Sequence, residues 1–190
     1  MLVVGVDPGN KGALAIYDSA AATPWAIWDI PTWNQQIGRG KRTRIRMDAV
    51  EILNRMYMLK DMGVALMIIE EVGPRKHNAG MFAFGYGYGL LVMATYAARI
   101  PLEPARPQVW KKIMGVAATK NTDQKSAEAV LRKRAHELWP DHQELFVGPR
   151  GGIKYDRIEA LLIAKFGADH LLGATSANAE SRLLEKVYDR

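Results

Sequence analysis

The sequence predicts an α/β protein with a mixed β-sheet flanked by helices, and three observations lead to this fold class. Three short segments rich in Val, Ile, Ala and aromatic residues come first along the chain: 2–7, 11–18 and 25–30. Turn formers separate them, so we expect three sequential antiparallel strands. Residues 47–61 then carry apolar side chains at helical spacing, and the run VALMIIEE that follows is typical of a strand buried on both faces.

The rest of the chain alternates between predicted helices and one further strand. A Gly- and aromatic-rich helix, a short strand and three more helices are predicted at these places: 81–99, 101–105, 107–114, 122–138 and from about 155. The result is a five-stranded sheet in which three antiparallel strands precede parallel α/β units. We expect residues 1–172 to form one domain and residues 173–190 to form a C-terminal helical tail.

Composition narrows the function classes. The chain of 190 residues is 48% hydrophobic, enough for one domain with a real core. It has no long apolar run and no signal-peptide pattern, so we expect no membrane association and a cytoplasmic or organelle-stroma location. The absence of cysteine excludes disulfides, thiolate zinc sites and cysteine nucleophiles. A net charge of +6 favours a polyanionic partner such as nucleic acid.

Acidic residues stand where two of the predicted strands end. Asp7 closes the first strand just before Pro8, and Glu70 closes the fourth. If these strands are parallel neighbours, both carboxylates lie at the carboxyl edge of the sheet, where α/β proteins place their sites. Two carboxylates only a few ångströms apart repel each other unless a cation lies between them. Hard oxygen ligands of this kind select Mg²⁺ or Mn²⁺. Only one of Glu70 and Glu71 can join this site, because neighbours in a strand point to opposite faces.

The last core helix adds two more acidic residues. Asp156 and Glu159 are three residues apart, so they share one face of the first helical turn. With the two strand-end carboxylates they make a set that can hold two divalent ions about 4 Å apart and hydrolyse a phosphodiester. Each carboxylate also has a plainer interpretation, since Asp7 can cap a turn and acidic residues in a first helical turn complement the helix dipole.

Several motifs, in their order and spacing, resemble a known family. GVDPGNKGALAIYD, MIIEEV and DRIEALLIA resemble the RuvC group of Holliday-junction resolvases, which have the ribonuclease H fold. FGYGYGLL, VWKK and EALLIAKFG are similar to the chloroplast Holliday-junction resolvase and its phage relatives. The resemblance covers residues 1–172 and implies a ribonuclease H-like, Mg²⁺-dependent crossover junction endodeoxyribonuclease. Its expected cofactor is two Mg²⁺ ions per active site, with Mn²⁺ as a substitute.

The resemblance also implies roles for individual residues. Asp7, Glu70, Asp156 and Glu159 match the positions of the catalytic metal ligands. Bacterial RuvC usually has aspartate where Glu159 stands, whereas chloroplast-type enzymes have glutamate there, which favours that branch. The implied reaction is resolution of a four-way DNA junction by paired symmetric nicks.

Two basic groups are candidates for contact with DNA. The run RGKRTRIR, between the third strand and the first helix, is interpreted either as a solvated loop or as an arm that tracks phosphates; its basic residues are Arg39, Lys41, Arg42, Arg44 and Arg46. The second group lies where the family carries active-site lysines, and it supplies two DNA-binding candidates, Lys111 and Lys112, and two catalytic candidates, Lys120 and Lys125. A lysine beside the scissile phosphate would stabilise developing charge, but the sequence does not distinguish among the four.

The stretch after Glu70 corresponds to a loop that meets the junction centre in RuvC-like proteins. Its DNA-binding candidates are Arg75, Lys76, His77, Asn78 and Phe82. Phe82 either stacks on an unpaired base or belongs to the core. Gly85 and Gly89 permit close backbone approach, either to a neighbouring core helix or to a second protomer. The resemblance favours a homodimer, and an isologous dimer matches the approximate two-fold symmetry of a junction.

Three alternative functions are considered. GVDPGNKGALAIYD also resembles the first phosphate loop of sugar kinases and actin-like ATPases, but the chain lacks a second domain and a second phosphate loop, so no nucleotide cofactor is expected. A junction-binding protein that does not cleave would be expected to lose carboxylates that this sequence has. A related nuclease that acts on flaps or other branched DNA is not separated from a resolvase by the sequence.

Overall fold

A computed structural model describes residues 1–71, 80–119 and 122–171. The strands are β1 (Leu2–Val6), β2 (Ala13–Asp18), β3 (Thr23–Asp29), β4 (Thr32–Gln36), β5 (Thr43–Met47), β6 (Val64–Glu70) and β7 (Leu102–Ala105). The helices are α1 (Ala49–Asp61), α2 (Met81–Ala97), α3 (Pro107–Ile113), α4 (Gln124–Leu138) and α5 (Tyr155–His170), with a 3₁₀ helix over Pro140–Phe146. None of the helices within these ranges is both long and apolar enough to cross a membrane.

The main sheet has five strands in the order β3-β2-β1-β6-β7. β1, β2 and β3 pair antiparallel because short turns join them, whereas β1 with β6 and β6 with β7 pair parallel because helices connect them. This is the predicted mixed sheet. The first and fourth predicted strands are indeed parallel neighbours.

The two faces of the sheet carry separate halves of the core. Val3 and Ile68 pack with α4 and α5 on one face, and Val4 and Met67 pack with α1 and α2 on the other. Adjacent residues of a strand point to opposite faces, so this alternation makes Gly5 face α5.

Gly5 allows α5 to lie very close to the middle of the sheet. A Cβ atom at Gly5 would overlap the backbone of Ala160 and Ala164 on α5. Small residues on both elements thus fix the height and register of α5 above β1. This packing sets where the first turn of α5 lies relative to the end of β1.

The largest departure from the predicted structure concerns the basic run. We expected a loop there, but Thr43–Met47 forms a strand that pairs with Thr32–Gln36 in a separate two-stranded antiparallel sheet. Both strands are mostly polar and exposed, so they lack the apolar pattern by which strands are recognised. The 3₁₀ helix was likewise not predicted.

Helix α1 begins close to its predicted start. The Asp48 side chain caps this start, because it accepts hydrogen bonds from the backbone N–H groups of Val50 and Glu51, at 3.1 Å each. Some predictions fall outside the described residues: Arg75, Lys76, His77, Asn78, Lys120 and the tail 173–190.

Candidate active site

The candidate site lies at the carboxyl edge of the two central parallel strands. Val6 pairs with Ile69, so the residues that follow them, Asp7 and Glu70, end neighbouring strands side by side. Alternation along each strand directs both carboxylates toward α5. Glu71 instead forms an ion pair with Arg106, 3.4 Å from nitrogen to oxygen, as expected for the glutamate that does not join the site.

The tight turn after β1 holds Asp7 in place. The Asp7 N–H donates to the carbonyl oxygen of Ala13 at 3.1 Å, and the Gly9 N–H donates to the Asp7 carboxylate at 3.4 Å. A Cβ at Gly12 would overlap the carbonyl oxygen of Asp7, so this turn requires glycine there. The glycines of the first motif therefore serve to close the β1–β2 turn around Asp7.

The start of α5 is anchored by a cluster of opposite charge around Asp29, the last residue of β3. The Asp29 carboxylate lies 2.6 Å from Lys154 Nζ and accepts two hydrogen bonds from the Arg157 guanidinium, at 2.8 and 3.0 Å. Arg157 also donates to the carbonyl oxygens of Leu145 and Val147. These contacts fix the start of α5, where Asp156 lies in the first turn and Glu159, which was also predicted there, lies just after it.

Asp156 and Glu159, at the start of α5, form an acidic cluster with Asp7 and Glu70 at the strand ends. Burial raises the pKa of Asp7 well above its ordinary value, and the nearby negative charges of Glu159, Asp156 and Glu70, in that order, raise the Asp7 pKa further. Each of the other three predicted carboxylates is therefore close enough to Asp7 to repel its negative charge. Such a cluster is unfavourable unless positive charge is brought to it.

Lys111, on α3, supplies part of that positive charge. Its Nζ donates to Glu159 Oε1 at 2.6 Å, and both side chains are half-buried. Burial alone would lower the pKa of Lys111, but Glu159 beside it, together with Glu70 and Asp7, raises the Lys111 pKa above its ordinary value. Lys111 is therefore a charged ammonium group inside the acidic cluster across the neutral pH range.

The donor set fits a hard divalent cation in chemistry and charge. All four side chains offer carboxylate oxygens, the ligands that Mg²⁺ and Mn²⁺ prefer. The pKa of Asp7 is raised first by burial and then by nearby negative charge, and such an ion would offset that charge. Within the described ranges, no three Asp, Glu or His side chains are arranged to hold a single ion as they stand. The four side chains therefore match a divalent cation in ligand type and charge but are not yet arranged around one.

The other predicted residues lie elsewhere. Lys112 is exposed near the end of α3, and Lys125 is exposed in the first turn of α4. Arg39, Lys41, Arg42 and Arg44 are exposed on the β4–β5 hairpin, where Arg46 is half-buried. Phe82, which had a core interpretation, is 83% exposed.

Two features of the site were not predicted from the sequence. Lys111 was grouped with DNA-binding residues, although it lies within the acidic cluster, and no local pattern separates it from Lys112. The Asp29 cluster joins residues that are 128 positions apart, so nothing near Asp29 in the sequence marks it. Only the predicted position of α5 over the sheet could have suggested that Arg157 reaches β3.

Comparison with known proteins identifies the fold. No family model matches the chain, and no curated protein matches its sequence. The structure of Thermus thermophilus RuvC matches with a TM-score of 0.50 and 16% identity, over 89% of this chain and 96% of that one. T. thermophilus RuvC in complex with a Holliday junction substrate matches with a TM-score of 0.55 and 14% identity, over 90% of this chain and 97% of that one.

A poxvirus protein is also similar. The Fowlpox virus resolvase, solved with substrate Holliday junction DNA, matches with a TM-score of 0.44 and 14% identity, over 90% of this chain and 99% of that one. The RuvC likenesses confirm the ribonuclease H-like, RuvC-like fold that the motifs indicated. The closer similarity to the chloroplast branch stays a prediction.

Proposed function

We propose that this protein is an endonuclease that resolves four-way DNA junctions by paired, symmetric nicks. The observation that carries the proposal is the meeting of Asp7, Glu70, Asp156 and Glu159 at the carboxyl edge of a RuvC-like sheet, where burial and then the other three carboxylates raise the pKa of Asp7. The RuvC structure solved with a Holliday junction substrate supports this choice of DNA. We propose that the nuclease domain spans residues 1–172 and acts in the cytoplasm or in an organelle stroma.

The four carboxylates would hold the cofactor. Two Mg²⁺ ions, or Mn²⁺ in their place, would supply activation of a water and stabilisation of the leaving oxygen of the phosphodiester. Asp7 and Glu70 are fixed by neighbouring strands, and Asp156 and Glu159 by the anchored start of α5. The rigid sheet and helix thereby keep the ligands in place without a flexible loop.

Lys111 takes the role that the sequence left open among four lysines. Its ammonium group lies 2.6 Å from Glu159 and stays protonated, so it brings fixed positive charge to the place where the scissile phosphate would lie. A preorganised cation there stabilises charge that develops in the transition state. Lys125, predicted as a catalytic candidate, is exposed in the first turn of α4, and a contact with the DNA backbone is the role proposed for it instead.

The β4–β5 hairpin is proposed to track the DNA backbone. Neutralising Arg42, Arg44 and Arg46 together should lower the slope of log affinity against log salt by about 2 to 3, because each phosphate contact contributes about 0.9. Matched replacement of Arg132 and Lys133, exposed on α4, should leave the slope close to that of the parent protein. An unchanged slope in the hairpin variant would show that the hairpin does not contact phosphates.

Helix α2 is proposed to form the homodimer interface. Its 17 residues include no charged side chain. Beyond its first turns one stripe at helical spacing runs along it, in which Gly85, Met93 and Tyr96 are exposed and Gly89 is half-buried. A Cβ at Gly85 or Gly89 would contact nothing within 4 Å in the single chain, so these glycines leave room for a second copy.

The dimer proposal is tested by filling that room. Gly89→Leu should leave the fold intact and shift the protein to monomer in sedimentation equilibrium. Gly40→Leu, at an equally open position on the hairpin, is the control and should stay dimeric. A parent protein that is monomeric at the concentrations used for cleavage would contradict the proposal.

The activity is tested with a panel of synthetic DNA. Four-way, three-way, flap and duplex substrates are incubated with Mg²⁺, and the nicks are mapped on each strand. Symmetry-related paired nicks confined to the four-way junction are expected. Preferred cleavage of flaps would indicate the related branched-DNA nuclease instead, and junction binding without any cleavage would indicate a binding protein.

A further inference from the structure

The β4–β5 hairpin and the start of α2 enclose a cleft with a volume of about 530 Å³. Three aromatic side chains line it, and each is largely open to solvent: Trp33 is 49% exposed, Phe82 is 83% exposed and Tyr86 is 52% exposed. Exposing this much aromatic surface in one concave place is unfavourable in water, which marks the cleft as a site for a ligand with an apolar face.

One face of the hairpin combines an aromatic ring with positive charge. Trp33 is paired directly with Arg46 across the hairpin, and Gln35 is paired with Arg44, so these four side chains point to the same side. Gln35 Oε1 accepts a hydrogen bond from Arg46 Nε at 3.0 Å, which orients the guanidinium beside the cleft. An aromatic ring flanked by arginines is the arrangement that binds single strands of nucleic acid through base stacking and phosphate contacts.

The cleft lies near the turn that follows Asp7, on the face of the sheet that packs against α1 and α2. A second, smaller cavity is lined by Asn10, in the turn that follows Asp7, and by Arg46 and Tyr86, which also line the cleft. Arg46 and Tyr86 therefore border both the aromatic cleft and the cavity beside the turn that follows Asp7.

We infer that this cleft binds an unpaired nucleobase of the DNA strand, stacked on Trp33 and Phe82 with arginines of the hairpin on the flanking phosphates. The inference rests on the proposed action on branched DNA and specifies how unpaired nucleotides near the branch are held. A second copy of the chain is the less suitable occupant. Asp48 also lines the cleft, but its carboxylate caps α1, and residues 32–47 of the hairpin contain five basic residues and no acidic one, so two hairpins facing each other would repel.

The test compares unpaired with paired DNA in the absence of divalent ions. The affinity of the full chain is measured by fluorescence anisotropy for labelled oligo(dT) and for a labelled duplex of the same length, both in EDTA. Trp33→Ala and Phe82→Ala should each weaken oligo(dT) binding by roughly 10-fold and leave duplex binding within about 2-fold. Trp33→Phe keeps a ring and should restore most of the lost affinity.

The matched control is Trp25→Ala. Trp25 is 55% exposed on β3 and is not among the residues that line the cleft, so its replacement should change neither affinity. A second readout uses a bulged duplex with 2-aminopurine as its unpaired base. Its fluorescence should be quenched by the parent protein and by Trp25→Ala, but not by Trp33→Ala.

Two results would overturn the inference. Equal losses for oligo(dT) and duplex would mean that Trp33 only supports the hairpin. A shift of Trp33→Ala from dimer to monomer, with an unchanged ratio of the two affinities, would mean that a second copy occupies the cleft. Failure of the nuclease proposal would appear separately, as absence of cleavage in the branched-DNA panel by Trp25→Ala and the parent protein alike.

Discussion

Asp7 and Asp29 end two strands that run in the same direction in one sheet, and both lie beside the first turn of α5, yet their environments are opposite. Arg157 and Lys154 hydrogen-bond to Asp29 and lower its pKa, although partial burial acts against them. Asp7 is surrounded by Glu159, Asp156 and Glu70, and its pKa is raised. One carboxylate is neutralised by its neighbours, and the other is not.

The difference arises because basic and acidic residues alternate over residues 154–159, at the start of α5. Lys154 and Arg157 reach toward β3, whereas Asp156 and Glu159 reach toward β1. The Asp29 cluster stabilises the fold and fixes the start of α5. The Asp7 cluster lowers the stability of the fold. Proteins retain such an unfavourable cluster of charges where it serves a function.

The largest expected effect comes from replacing Asp7 with asparagine. Asp7→Asn should lower Mg²⁺-dependent junction cleavage by at least about 100-fold, because it removes one of the four carboxylates that are proposed to hold the metal. In EDTA it should also raise the free energy of unfolding by about 1 kcal/mol, since it removes one of four repelling charges. Cleavage rates and urea unfolding measure the two effects.

Asp29→Asn is the matched variant at the neutralised cluster. It should lower the free energy of unfolding by about 1 to 3 kcal/mol, because charged hydrogen bonds are lost, while junction cleavage persists at temperatures where the protein is folded. If Asp29→Asn abolished cleavage as fully as Asp7→Asn, the division between a structural and a functional cluster would be wrong.

A smaller effect is expected from Lys111. Lys111→Met keeps the length of the side chain but removes the positive charge beside Glu159, and it should lower the cleavage rate by about 10- to 100-fold with little change in junction affinity. Lys112→Met, one residue further along α3 and exposed, is the control and should change the rate by less than about 3-fold. Equal effects of the two substitutions would place Lys111 among the general DNA contacts.

The pH dependence of stability in EDTA should have opposite signs for the two aspartates. The pKa of Asp7 is raised in the folded protein, so its ionisation costs stability as pH rises from near the ordinary value of 3.8 through the raised pKa. The advantage of Asp7→Asn over the parent should therefore be absent in acid and reach about 1 kcal/mol at neutral pH.

For Asp29 the sign is reversed. Its pKa is lowered in the folded protein, so the stability it contributes is present above the ordinary value of 3.8 and is lost as pH falls through the lowered pKa. The deficit of Asp29→Asn should be largest near neutral pH and shrink in acid. Urea unfolding of the three proteins across this pH range measures both curves, and curves of the same sign would contradict the comparison.

The sequence predicted the acidic site better than its surroundings. Asp7 and Glu70 were predictable because each interrupts an apolar strand at its end, and Asp156 and Glu159 because helical spacing places them together. Lys111 was not, since its role depends on α3 packing against α5. The hairpin was missed because polar strands such as TWNQQ and TRIRM carry no apolar alternation, and their pairing depends on each other rather than on the core.

We propose that a divalent cation completes the Asp7 cluster. Thermal unfolding of the parent protein, Asp7→Asn and Asp29→Asn with increasing Mg²⁺ or Mn²⁺ tests this most directly. The parent and Asp29→Asn should gain about 2.7 kcal/mol at 100 times the dissociation constant, a rise in Tm of roughly 5 to 10 °C, while Asp7→Asn gains little. An equal rise in Tm for Asp7→Asn and the parent would contradict the claim.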